Sequence, residues 1–204
     1  MCGVALNKEY EMTRIFFVRH AQPDHRCCDD RTRPLTLEGK SDAKIVLEAL
    51  HDKNIDLFFC SPYKRSLDTI RSTAEFYGLS ITADERLRER ESGKGANVKD
   101  MFRKRWEDHD LHEPDGESLN MVQKRNTEVL MEILAKHRNK NIVIGTHGTA
   151  LSTIINYYDP GFGCDDFMRI IDWMPYIIEF DFEDTKLIKL HELAHVYKEF
   201  KNLF

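Results

Sequence analysis

The chain has 204 residues, a net charge of −5, 41% hydrophobic and 32% charged residues, the profile of one ordinary globular domain large enough to cover both faces of a sheet with helices. Lys and Arg are interspersed with Asp and Glu, which argues against a nucleic-acid partner, and no run reaches the ~20 apolar residues of a membrane span. The five cysteines form neither a disulfide framework nor a Cys-x-x-Cys zinc spacing, and no redox role is expected of them.

Residues 1–13 carry Lys8, Glu9 and Glu11 and lack the apolar core of a signal peptide, so a cytoplasmic location is the expectation. Next comes Arg14-Ile15-Phe16-Phe17-Val18-Arg19-His20. Its apolar run is too short for a helix and reads as a buried strand of a parallel sheet. Arg19 and His20 fall at the strand's C-terminal end, where α/β sheets form ligand crevices. A polar loop over 21–34 leads to Thr36, which can cap a helix running to about Leu50 with Ala43, Val46, Leu47 and Leu50 as its apolar stripe.

Residues 56–60 read as a second buried strand, with Cys60 a small core residue. A helix over 62–77 follows, with Ser61 as N-cap, Pro62 at the first helical position, Arg65 in the first turn, and Gly78 as C-cap. Tyr63, Leu67, Ile70, Ala74 and Tyr77 keep helical spacing along it. A short strand is expected over 80–83.

Residues 92–115 break the strand–helix rhythm as an insertion within a single domain spanning 1–204. There Val98, Met101, Phe102 and Trp106 mark one helical face, with Lys99, Arg103, Lys104 and Arg105 beside it. Either this helix lies on the body, or it caps a pocket with Arg or Trp side chains that help to choose the substrate.

A long helix over 118–137 turns Leu119, Val122, Val129, Ile133 and Leu134 inward, and 142–146 reads as a third strand delivering His147 and Gly148 to another helix. Residues 159–163 form a turn. The alternation of Tyr176, Ile178, Phe180 and Phe182 with Glu179 and Asp181 marks a strand paired as a hairpin with 186–190. Alternating strands and helices of this kind imply parallel strands with right-handed crossovers.

Arg19-His20, Ser61-Pro62-x-x-Arg65-Ser66-x-x-Thr69, Leu87-Arg88-Glu89 and His147-Gly148, in that order and spacing, resemble the histidine phosphatase superfamily, which includes the cofactor-dependent phosphoglycerate mutases. The resemblance covers roughly residues 14 to 158 and implies a three-layer α/β/α fold with a mostly parallel central sheet, phosphoglycerate mutase-like. It also implies a metal-independent phosphatase acting on a small phosphorylated substrate, with no cofactor.

The residues suit that chemistry. A phosphoryl group needs fixed donors and positive charge, which Arg19 and Arg65 supply as guanidinium forks. His20 is the candidate nucleophile; two neighbouring arginines lower its pKa, and its other ring nitrogen must donate to a fixed acceptor. His147, protonated, is a third donor to transition-state charge. The resemblance gives the general acid to Glu89, and incoming phosphate charge favours keeping a proton there. Some relatives carry an Asp directly after the second histidine. Here that position is Gly148, which favours Glu89 and leaves Gly148 to contact substrate. No His-x-His or His-x-x-x-His spacing suggests a metal site, and the arginines would repel a cation.

The family usually reads Arg-His-Gly, then Glu or Gln, then Ser or Thr, with an Asn a few residues on. This chain reads Arg19-His20-Ala21-Gln22-Pro23-Asp24-His25-Arg26. Pro23 removes a donor, and Arg26 is expected to replace the Asn contact to phosphate. Asp115-Gly116-Glu117-Ser118 resembles the Gly-Glu-Ser segment of the mutases, which phosphatases share. A mutase or a non-catalytic phosphate-binding protein are the alternatives to a phosphatase.

Overall fold

The computed structural model describes residues 12–94 and 99–199. The expectations for Cys2 and for Lys8, Glu9 and Glu11 lie outside them, as do Gly95 and Val98. In chain order the elements are β1 (Thr13–Arg19), α1 (Leu37–Asp42), α2 (Lys44–Leu50), β2 (Leu57–Cys60), α3 (Lys64–Tyr77) and β3 (Ile81–Ala83). A single helical turn, Glu85–Leu87, precedes α4 (Lys99–Glu107), α5 (Leu119–Lys136), β4 (Asn141–Thr146), α6 (Gly148–Tyr158), α7 (Cys164–Ile170), β5 (Trp173–Glu183) and β6 (Lys186–Tyr197).

The strands form one sheet in the order β3-β2-β4-β1-β5-β6. β1 to β4 run parallel, whereas β5 is antiparallel to β1 and β6 antiparallel to β5. Strand pleating sends alternate side chains to opposite faces. Ile15 and Phe17 of β1 join a core with α5, α6 and α7, while Phe16 and Val18 join one with α2 and α3. The three-layer arrangement that the family resemblance implies follows from that alternation. No helix of the described residues is long and apolar enough to cross a membrane.

Several boundaries depart from expectation. Thr36 does cap α1, its hydroxyl accepting from the Gly39 N–H at 2.9 Å, but the helix is divided at Ala43 into α1 and α2. α3 begins at Lys64 rather than Pro62, and its N-cap Tyr63 makes no side-chain cap bond. The Ser61 hydroxyl instead accepts from the Tyr63 N–H at 3.2 Å, a local turn that competes with helix entry. α7 was not expected; its seven residues are too few for a clear period. The hairpin's second strand reaches Tyr197, well past residue 190.

α4 lies on the body. Phe102 stacks on Phe167 at 5.8 Å between centroids, and Trp106 meets Phe162 and Phe167 at 5.9 and 5.8 Å. Arg103 pairs with Asp165, and Arg105 is buried against Glu113.

Candidate active site

The sheet register sets the site. Arg19 pairs with Thr146 and Cys60 with Gly145, so the C-terminal ends of β1, β4 and β2 lie side by side. The residues that follow those strands, His20, His147 and Ser61, are thereby brought together. The His20 and His147 rings meet edge to face at 5.2 Å, and His147 Nε2 lies 2.7 Å from the Ser61 hydroxyl. Cys60, buried beneath them, has its thiol pushed up to about 12 by burial, as an inert core residue should.

His20 is 5% exposed, and both of its ring nitrogens are engaged. Nδ1 lies 2.7 Å from the Ala21 carbonyl, an acceptor only, so Nδ1 carries the proton and donates. Arg65 Nε, a donor only, reaches Nε2 at 3.1 Å, which requires a lone pair there. Thr69 holds this arrangement from behind: its hydroxyl accepts from the Ala21 N–H at 3.0 Å and donates to the Arg65 carbonyl at 2.7 Å. Burial, then Arg65 and Arg19, push the His20 pKa well below its ordinary value, which keeps the ring neutral.

Burial, then Arg65 and His20, likewise push His147 well below its usual range. Burial and nearby cations both oppose the charged ring that the sequence reading expects at His147. Arg19 Nη1 donates to the Ile170 carbonyl at 2.7 Å. Arg19 Nε and His147 Nδ1 are buried without a hydrogen-bond partner among the described residues. A Cβ at Gly148 would stand 3.3 Å from the Arg19 guanidinium, so glycine there gives the guanidinium room against the start of α6.

Glu89 faces the same helix start. Its Oε2 accepts from the Thr149 N–H at 3.1 Å, and its Oε1 from the Ala150 and Arg90 N–H groups at 3.2 and 2.8 Å. Arg19, His20, Arg65, Glu89 and Gly148 all line one pocket of about 430 Å³. His147 is not among the residues lining that pocket, but its ring stands edge to face with that of His20, which is.

The family of fold and the motifs point the same way as a family-model comparison, in which the histidine phosphatase superfamily (branch 1) matches residues 15–187. The chain belongs to the histidine phosphatase superfamily. Among superfamily members it is similar to phosphoserine phosphatase 1 of Hydrogenobacter thermophilus, 29% identical over 150 residues that cover 67% of this chain and 71% of that protein. It also resembles the uncharacterized phosphatase PhoE of Bacillus subtilis, 26% identical over 74% of this chain and 79% of the relative. In fold it matches a mycobacterial glucosyl-3-phosphoglycerate phosphatase with a TM-score of 0.71, at 19% identity, covering 89% of this chain and 97% of that one. The chain is a phosphoric monoester hydrolase of this superfamily.

Arg26 corrects the sequence reading of this superfamily member. It is not brought to the pocket: its side chain is 90% exposed and forks onto the Asp24 carboxylate two residues away, at 2.8 and 2.6 Å. The arginine that does line the pocket from that loop is Arg33. Its Nη1 donates to Asp30 at 2.6 Å and its Nε to the Cys27 carbonyl at 3.0 Å. Asp30 also meets Arg65, through its carbonyl at 2.6 Å and its carboxylate at 3.2 Å. Arg33, Asp30, His25 and Tyr63 line the pocket and were missed. The Asp/Arg-rich composition of the loop was the only signal, and it does not say which charge turns inward. Among the described residues, Trp106 and the arginines of α4 do not line this pocket.

Proposed function

We propose that this phosphatase hydrolyses a small acidic phosphomonoester through a phosphohistidine at His20 Nε2, without a metal ion. The observation that carries the reading is the pair of contacts on His20, which leave Nε2 unprotonated in a pocket with Arg19 and Arg65. The guanidinium groups take the phosphoryl oxygens and supply the charge that a metal ion supplies elsewhere.

In the first step the Nε2 lone pair bonds to phosphorus while the bond from phosphorus to the leaving oxygen breaks. Glu89, arriving protonated, passes its proton to that oxygen, and the alcohol departs. In the second step the Glu89 carboxylate takes a proton from water, the water oxygen bonds to phosphorus, and the phosphorus–nitrogen bond breaks with its electrons returning to Nε2. His147 donates a ring N–H to an equatorial oxygen throughout. Gly148 lets the substrate approach the helix start, where the backbone dipole favours negative charge.

Arg33 and Arg90 both line the pocket wall beyond the end of β1; Arg33, held by Asp30 and the Cys27 carbonyl, is the cation we assign to a second anionic group on the substrate. The substrates named for the relatives, phosphoserine and a phosphoglycerate derivative, both belong to carboxylic acids. A substrate with a carboxylate near its phosphoester fits that wall. α4 acts as packing for α7, not as the part that selects substrate, within one domain. A cytoplasmic location belongs to the same reading.

The test is hydrolysis of a panel of phosphomonoesters in excess chelator, with conversion of 3-phosphoglycerate to 2-phosphoglycerate followed in parallel in the presence of a bisphosphate primer. Chelator-resistant hydrolysis favouring carboxylated esters is expected. Primer-dependent isomerisation faster than hydrolysis would make it a mutase instead.

A further inference from the structure

Glu89 sits on irregular chain. Residues 88–93 belong to no helix or strand, so no ladder of their own fixes the backbone that carries its carboxyl to the start of α6. That backbone is held from α5. Arg125 Nη1 donates to the carbonyls of Arg86 and Arg88, each at 2.7 Å, and Nη2 donates to the carbonyl of Glu89 itself at 3.1 Å.

Glu117 grips the same guanidinium as a fork, with Nε to Oε1 and Nη2 to Oε2 both at 2.9 Å. Its Oε2 also accepts from the Glu91 N–H at 3.0 Å, so acid and base together tie down both sides of Glu89. The pair is largely out of solvent, at 12% and 11% side-chain exposure, where such bonds are least screened. Gly116 completes the clamp. A Cβ there would stand 3.1 Å from backbone atoms of Glu91, Ser92 and Gly93, so any other residue would push this turn off the segment by a few tenths of an ångström. The Gly-Glu-Ser resemblance thereby acquires a physical role: glycine for the approach, glutamate for the grip, and Ser118 to cap α5 by accepting from the Met121 N–H.

We propose that Arg125, gripped by Glu117, is a positioning residue for the general acid, fixing the Glu89 backbone so that its carboxyl meets the leaving oxygen. The proposal rests on the assignment of Glu89 as that acid. A planar guanidinium bridges three carbonyls and a carboxylate at once, whereas a lysine ammonium keeps the charge but not the fork. Loss of the bridge frees the loop without touching the phosphate clamp or His20.

The experiment compares kcat/KM on an alkyl phosphate, whose leaving oxygen needs a proton, with that on nitrophenyl phosphate, whose leaving group departs readily as an anion. It uses the full chain and the variants Arg125→Lys, Arg125→Gln, Glu117→Gln and Glu89→Gln. Arg125→Lys and Arg125→Gln are expected to lose about 100-fold on the alkyl ester, the lower range of general-acid catalysis, and far less on the aryl ester. Glu117→Gln, which keeps the shape of the grip, is expected to show the same split to a smaller degree. Equal losses on both esters in the Arg125 and Glu117 variants, or an Arg125→Lys enzyme with wild-type rates, would overturn the proposal. If Glu89→Gln shows the split and the Arg125 and Glu117 variants do not, positioning alone fails. If Glu89→Gln shows no split, the acid assignment fails and the proposal with it.

Discussion

Arg65 Nε donates to His20 Nε2 at 3.1 Å, so the guanidinium that would hold phosphate already touches the nitrogen that would attack it. The contact requires a lone pair on that nitrogen and so selects the tautomer. Arg65 also reaches the Asp30 carbonyl at 2.6 Å, which fixes its plane. Arg65→Lys keeps the charge but cannot make both contacts. We expect kcat/KM for any phosphomonoester to fall by about 100-fold or more, within the range for loss of one transition-state donor, as steady-state kinetics on the variant would show.

The two histidines make stability depend on pH. Both pKa values are depressed by burial and by cations, so below about 6.5 the unfolded chain binds protons that the folded chain refuses. Stability is therefore present above that pH and declines as pH falls toward the folded values. The slope is about 1.4 kcal/mol per pH unit for each histidine. Urea unfolding between pH 7 and 5 should show this decline, and His147→Asn should make it shallower. The activity profile should show no histidine ionisation near 6.5 in kcat/KM, since His20 stays neutral there.

Arg33 should govern substrate choice. Arg33→Gln is expected to raise KM about tenfold for a carboxylated phosphomonoester, the order of one charge-assisted bond. The rise for an aryl phosphate that lacks a carboxylate should be smaller. Equal effects on the two would assign Arg33 to the phosphate instead.

Phe17 is fully buried and packs edge to face on Phe180 at 5.0 Å, where β1 meets β5. Phe17→Ala should destabilise the fold by about 3–5 kcal/mol, measurable as a fall in the denaturant midpoint. Because Phe17 faces the α5–α6–α7 layer, away from α3, the local spacing of Arg65 and His20 should survive in the folded fraction.

Much of this architecture is legible in the sequence because apolar runs this short, rich in β-branched and aromatic residues, suit buried strands better than helices. Ile15 to Val18 and Ile142 to Ile144 announce β1 and β4, and their ends announce His20 and His147. What stayed hidden was decided by contacts across the chain or by strictly local charge. Arg26 looked like a phosphate ligand, yet Asp24 two residues away captures it, while Arg33 turns inward because the Cys27 carbonyl and Asp30 receive it. Arg125 reads as one more polar residue on a helix. Its meaning comes from carbonyls 36 to 39 positions earlier, which no local pattern records.

A covalent phosphohistidine at His20 is the intermediate on which this chemistry depends. The most direct measurement is the mass of the intact protein after brief incubation with nitrophenyl phosphate in chelator and an alkaline quench, alongside His20→Ala under the same conditions. One added phosphoryl group, located on His20 by fragmentation and absent from the variant, is the expected result, together with loss of turnover in His20→Ala. A variant that still turns over the ester, or a phosphoryl group found on another residue, would contradict it.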